Sequence, residues 1–202
     1  ALQNLKKDMK KYDIRVVPGG EEKSKRKSTG RIEPGSAVAV QLVKGDINIS
    51  SIGTITYLKN NKVLAFGHPF TNRGKVSYLL SEAYINATIP NDKQPFKLGS
   101  PIDRPLGIVN TDRGAGIAGE MKEFPEIIPV KIKVDDQNRN ISEEVEVQII
   151  KDQKLLSSLA VNTALQSIDS VIDRRGKVTA QVELSVMGSG LPGFEVERGR
   201  LY

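Results

Sequence analysis

Short stretches of alternating apolar and polar residues, broken by glycine and proline, run through most of the chain. Residues 37–43, 53–58 and 62–66 each carry the period-two pattern of a half-buried strand, and Gly45-Asp46 and Asn60-Asn61 supply the turns between them. Asparagine tolerates the left-handed backbone that a two-residue hairpin turn demands. Asn60-Asn61 between two strand-like runs therefore predicts a tight hairpin. Residues 82–89 alternate and stop at Pro90, and 106–110 and 116–118 add two more short strands. Strands this short and this closely spaced predict a mostly β fold, with a small glycine-rich barrel over residues 34–125.

A smaller α+β module is expected over residues 126–202. Residues 127–134 and 143–150 form a predicted hairpin around Asp135-Asp136-Gln137-Asn138. The pattern then changes from strand to helix. Leu155, Leu159, Leu165, Ile168 and Ile172 are read as one helical stripe that ends at Gly176, with strands expected at 177–187 and 194–197. At the other end, Leu2, Leu5 and Met9 predict a short helix over 2–12. Residues 13–17 read as extended, and Pro18-Gly19-Gly20 closes them. Residues 1–33 thus form a leading segment outside the barrel.

Charge changes this picture only at the N-terminus. Residues 1–31 hold ten Lys and Arg against four Asp and Glu, so this segment carries the whole of the chain's net charge of +6. Between Gly19 and Gly30 almost no side chain is apolar, and a solvated linker is expected there, with attraction to an anionic surface as the alternative. Aromatic residues are 5% of the chain and Trp is absent, which excludes an aromatic platform for nucleic acid. No apolar run reaches the roughly 18 residues of a membrane-spanning helix. Cysteine is absent, so disulfides, thiol catalysis and Cys-based zinc sites are excluded. The single histidine excludes any site with two His ligands, and neither cofactor nor metal is expected. Beginning at Ala1 rather than Met, the chain is expected to be a processed or shortened product.

That histidine is the most informative residue. In Leu64-Ala65-Phe66-Gly67-His68-Pro69-Phe70 a strand runs directly into Gly-His-Pro, which places the imidazole at a strand end on a restricted backbone. With an ordinary pKa of about 6.5, His68 can take up and return a proton near neutrality. A general base works better when a carboxylate holds its other nitrogen. Asp112, in Asn110-Thr111-Asp112-Arg113 just after a predicted strand, is the candidate. Both residues also have plainer readings: His68 as an ordinary structural histidine, and Asp112 as a turn cap or the partner of Arg113.

Residues 34–46 (Pro-Gly-Ser-Ala-Val-Ala-Val-Gln-Leu-Val-Lys-Gly-Asp), Leu64 to Phe70, Phe96-Lys97-Leu98-Gly99, Thr111-Asp112-Arg113 and Gly116-Ile117-Ala118-Gly119 occur in a characteristic order. Together they resemble the His-bearing half of the stage IV sporulation protein B peptidase family, over roughly residues 34–135. The resemblance implies a chymotrypsin-like serine peptidase of the bacterial cell envelope, acting outside the cytoplasm on peptide or protein substrates. It implies that the barrel is one half of a chymotrypsin-like fold, with His68 as general base and Asp112 as the acid that orients it. The family's nucleophile lies in a Gly-Met-Ser-Gly-Ser-Pro type motif, and this chain has none. Gly99-Ser100-Pro101 falls inside the His half, and Gly188-Ser189-Gly190 lacks the flanking residues. The chain alone is therefore expected to be inactive, with the serine supplied by an upstream segment or a second chain. The competing expectation is a non-catalytic envelope module for binding or scaffolding.

Overall fold

The computed structural model describes residues 2–11, 28, 30–90, 96–172, 179–188 and 191–201. The predicted extended stretch 13–17, and the linker apart from Ser28 and Gly30, lie outside the described residues. The described part is mostly β. Helix α1 (Leu2–Lys10) buries Leu5 and Met9, two of the three residues whose spacing predicted it.

Eight strands follow in order: β1 (Ala37–Gly45), β2 (Ile49–Lys59), β3 (Lys62–Ala65), β4 (Gly74–Ile89), β5 (Phe96–Arg113), β6 (Gly116–Met121), β7 (Ile127–Asp136) and β8 (Ile141–Ile150). The predicted Asn-Asn hairpin joins β2 to β3, with Asn60 and Asn61 at φ of 49° and 62°. Strands β4 and β5 extend well beyond the alternation seen at 82–89 and 106–110. Pro101 and Pro105 argue against a strand in sequence. The ladder absorbs both: β5 carries extra residues between the pairs Ser81–Pro105 and Ala83–Pro101.

All the pairings in the eight-stranded sheet are antiparallel, and the order is β2-β3-β6-β5-β4-β1-β8-β7. An additional β1–β2 pairing closes the first six strands into a ring. Alternate residues of these strands meet in one core, among them Val38, Val40, Ile55, Val63, Tyr78, Leu80, Val109 and Ile117. The sheet continues past residue 125, because Val43–Gly45 of β1 pair with Val147–Ile149 of β8. The β7–β8 hairpin is thus hydrogen-bonded to the barrel sheet, and the compact units are residues 1–171 and 172–202.

Helix α2 (Leu156–Ile172) forms where the pattern changed, but its buried face differs from the predicted stripe. Leu155 at its entry and Leu159 are buried, and the face continues through Asn162, Thr163, Ser167 and Val171, while Leu165 and Ile168 are half-buried. At about 100° per residue, Leu165 and Ile168 stand roughly 120° and 180° from Leu159, so the five apolar residues never shared one face. Small polar residues fill the buried positions instead. Arg139, in the β7–β8 turn, donates to the carbonyl of Val171 at 3.2 Å, a favourable charge at the helix C-terminus. In the second unit, β9 (Thr179–Gly188) and β10 (Leu191–Leu201) form an antiparallel pair.

The closeness of β5 to β6 can be tested at Gly119. A Cβ there would lie 1.9 Å from the carbonyl oxygen of Ile108, which cannot move without parting the strands. Gly119→Ala should cost about 3 kcal/mol, the upper end of overpacking effects, in urea unfolding. Gly114→Ala, where nothing lies within 4 Å, should stay within about 0.5 kcal/mol of the parent. Equal stabilities for the two variants would contradict the close approach.

Candidate functional site

The predicted site residues come from the ends of two barrel strands, β3 and β5. His68 follows β3, in the loop 66–73 that returns the chain to β4. Phe66 and Gly67 leave the strand with successive left-handed backbones, φ 76° and 72°. Such a φ costs a bulky residue about 1–3 kcal/mol. Packing holds Phe66 there: its ring occupies the space beside Gly53, where a Cβ would come within 2.1 Å of the ring. An aromatic series then runs inward, with ring centroids 5.6 Å apart for His68–Phe66, 6.4 Å for Phe66–Phe70 and 5.9 Å for Phe70–Tyr78, the last two edge-on. The imidazole is the exposed end of this series and Tyr78 its fully buried end.

Asp112 lies near the end of β5, where the β4–β5 ladder sets it opposite Gly74. That register places its carboxylate against the His68 loop. It is completely buried. Its Oδ1 accepts from the Phe70 amide at 2.8 Å, and its Oδ2 accepts from the Thr71 amide at 2.5 Å, the Thr71 hydroxyl at 2.6 Å and the Asn72 amide at 3.0 Å. Four donors thus converge on one carboxylate, and neither His68 nor Arg113 is among them. Such charge-assisted bonds are the strong kind, and here they fix three consecutive amides of an irregular loop.

The expected bond between Asp112 and the imidazole is replaced by a local one. Nδ1 of His68 lies 2.8 Å from the carbonyl oxygen of Pro69. A carbonyl only accepts, so Nδ1 carries the proton and, in the neutral ring, Nε2 is left as an acceptor on an exposed side chain. This is the tautomer that a carboxylate would have imposed, reached through a backbone group. Asp112 holds the loop and the Pro69 carbonyl holds the ring.

Sequence reasoning missed the rest of the polar network. Thr71 Oγ1 and the Tyr78 hydroxyl are 2.8 Å apart, Arg73 donates to Tyr78 at 3.4 Å, and Arg73 lies 2.9 Å from Asp152 Oδ2. Burial is the main reason the Tyr78 hydroxyl is held above its usual pKa, a rise partly countered by the bond to Thr71 and the charge of Arg73. No motif signalled this network, because its members are spread from residue 71 to residue 152. Ser100 is not brought to His68. Its hydroxyl accepts from Asn86 at 3.0 Å, and it pairs with Tyr84, about 30 Å along β4 from Gly74 at strand rise. Ser189 lies outside the described residues. Among the described residues, no group of three or more imidazoles and carboxylates is placed to hold a metal, and no helix is long and apolar enough to cross a membrane.

Two measurements check this geometry. Asp112→Ala leaves buried donors without acceptors and should cost about 3 kcal/mol or more in chemical denaturation, with faster amide exchange at Phe70, Thr71 and Asn72. Asp112→Asn should rescue little, since its amide turns one acceptor into a donor facing N–H groups. The raised pKa of Tyr78 means that the folded state holds this proton more tightly than the unfolded chain. Its contribution is fully present below about pH 10 and is lost as pH rises through the folded value. The stability of Tyr78→Phe should therefore fall less steeply than that of the parent above pH ~10, and parallel curves would exclude Tyr78 as the linked group.

No protein-family model, curated protein or solved structure matches the chain.

Proposed function

We propose that this chain is the His-bearing portion of an extracytoplasmic bacterial serine-peptidase-like protein, inactive by itself. In this reading His68 is the general base for a serine supplied by an upstream segment or a second chain, and the substrate is a peptide or protein. One observation carries the reading: the Nδ1 proton of His68 is committed to the Pro69 carbonyl, which leaves Nε2 exposed as an acceptor on a rigid loop. A serine hydroxyl approaching from solvent would give its proton to Nε2 as its oxygen attacks the scissile carbonyl. The imidazolium would then return that proton to the leaving amine. Asp112 would serve as a positioning residue that fixes the loop, in place of the direct orienter expected from sequence. A closed antiparallel barrel is compatible with one half of a chymotrypsin-like fold, and the oxyanion donors would come with the serine.

The same carboxylate favours a second reading. Because Asp112 is fully engaged by the loop, the fold could also retain His68 in a non-catalytic envelope module that binds or scaffolds.

The chain alone should show no turnover of casein or fluorogenic peptides, since a base without a positioned nucleophile forms no acyl-enzyme. In a protein that also carries the serine motif, in cis or in trans, peptide hydrolysis and fluorophosphonate labelling should appear. His68→Ala should lower hydrolysis at least about 10³-fold. Absence of turnover there, or turnover indifferent to His68→Ala, would select the binding module.

A further inference from the structure

We propose that Arg73 and Asp152 are positioning residues for His68, forming a latch between the loop that carries the imidazole and the turn that leads into α2. The proposal rests on the reading of His68 as a proton acceptor.

Arg73 is the last residue of the His68 loop, five positions after the imidazole and directly before β4. Its Nη1 is 2.9 Å from Asp152 Oδ2, and the two side chains are only 15% and 9% exposed. Solvent and salt screen such a pair weakly, so its geometry is strongly held. Asp152 divides its carboxylate between two tasks. While Oδ2 takes the arginine, Oδ1 accepts from the amides of Lys154 at 3.0 Å and Leu155 at 3.1 Å, and its own carbonyl accepts from Leu156 at 2.8 Å. These bonds close the turn 152–156 that leads into α2. One carboxylate therefore holds that turn and fastens the loop.

Donor accounting gives the rest of the connection a single direction. The Thr71 hydroxyl has one proton and gives it to Asp112, so the proton between Thr71 and Tyr78 must come from Tyr78. Tyr78 in turn accepts from Arg73. The chain Arg73 to Tyr78 to Thr71 to Asp112 is a one-way series of donors ending on the carboxylate that clamps residues 70–72. In a buried setting each such bond polarises the next. Withdrawing Asp152 loosens the guanidinium at the head of this series, and the loop amides at its foot then lose definition. Asp8 of α1 accepts from Ser158 and, at 3.5 Å, from Asn162, so the same helix is also pinned on α1. The seating of α2 and the aim of His68 share one fastening.

His68 is the only histidine, so its imidazole nitrogens give unambiguous ¹⁵N signals. In the neutral ring the parent should show the Nδ1–H form, with Nε2 as acceptor. Arg73→Gln and Asp152→Asn should each convert this to a mixture of tautomers and speed amide exchange at Phe70, Thr71 and Asn72 at least tenfold. Arg73→Lys keeps the charge without the fork and should restore part of both. Val145→Ala, a core truncation in β8, should lower the melting temperature without changing either signal. Latch variants that melt earlier but keep the parent tautomer and exchange rates would reduce the pair to a structural salt bridge and overturn the proposal. Should Arg73→Gln not fold, Asp152→Asn and Arg73→Lys give the same decision. None of these signals requires peptidase activity. A failed turnover experiment leaves this test intact, and an unchanged tautomer leaves the peptidase reading intact.

Discussion

The structure depends on β1 being hydrogen-bonded along both edges. One edge pairs with β2, and the other pairs first with β4 and then with β8. Closing the ring removes the exposed edges that the six strands would otherwise present. The handover from β4 to β8 along a single strand attaches the hairpin beyond residue 126 to the same sheet. Six consecutive residues of β1, from Val38 to Val43, are buried, as expected of a strand covered on both faces. At the far end of the handover, Gly45 comes so close to β8 that a Cβ would lie 2.4 Å from the carbonyl oxygen of Glu146.

A closed ring leaves the connections between strands as the places where irregular chain must be held, and the 66–73 loop is held by charge. A buried carboxylate is costly unless its oxygens are filled, and Asp112 meets that condition with four donors from one short segment. All four contacts go to the loop and none to the imidazole. The arrangement therefore favours a rigid loop over a directly oriented ring, and the ring takes its tautomer from the neighbouring Pro69 carbonyl. A second buried carboxylate, Glu82, is met by Arg104, whose guanidinium also bonds the carbonyl of Gly30 at 2.8 Å. The end of the basic leading segment is thus fastened to the barrel by the same kind of device.

Elements whose signal is local were legible. The Asn60-Asn61 turn, the short strands, the 127–150 hairpin and the start of α2 all follow from backbone preference and period. Their lengths were not. Pro101 and Pro105 mask half of β5, because a bulge that tolerates proline is created by pairing with β4 and has no local signature. The α2 stripe misled for a related reason. Five apolar residues were grouped by spacing alone, whereas the buried face is completed by Asn162, Thr163 and Ser167, whose burial reflects what packs against them.

At the site the division is the same. The sequence by itself determined that a strand would lead toward the Gly-His-Pro of His68; it placed Asp112 just after a strand, whereas β5 runs through Asp112 to Arg113. Both readings follow from covalent geometry and local pattern. Only the tertiary structure decided what each side chain binds. The β4–β5 register puts Asp112 beneath residues 70–72 instead of beside the ring, and the turn before α2 brings Asp152 to Arg73, 79 residues away in sequence. A hydrogen bond depends on separations of a few tenths of an ångström, and those are set by the register of strands distant in the chain.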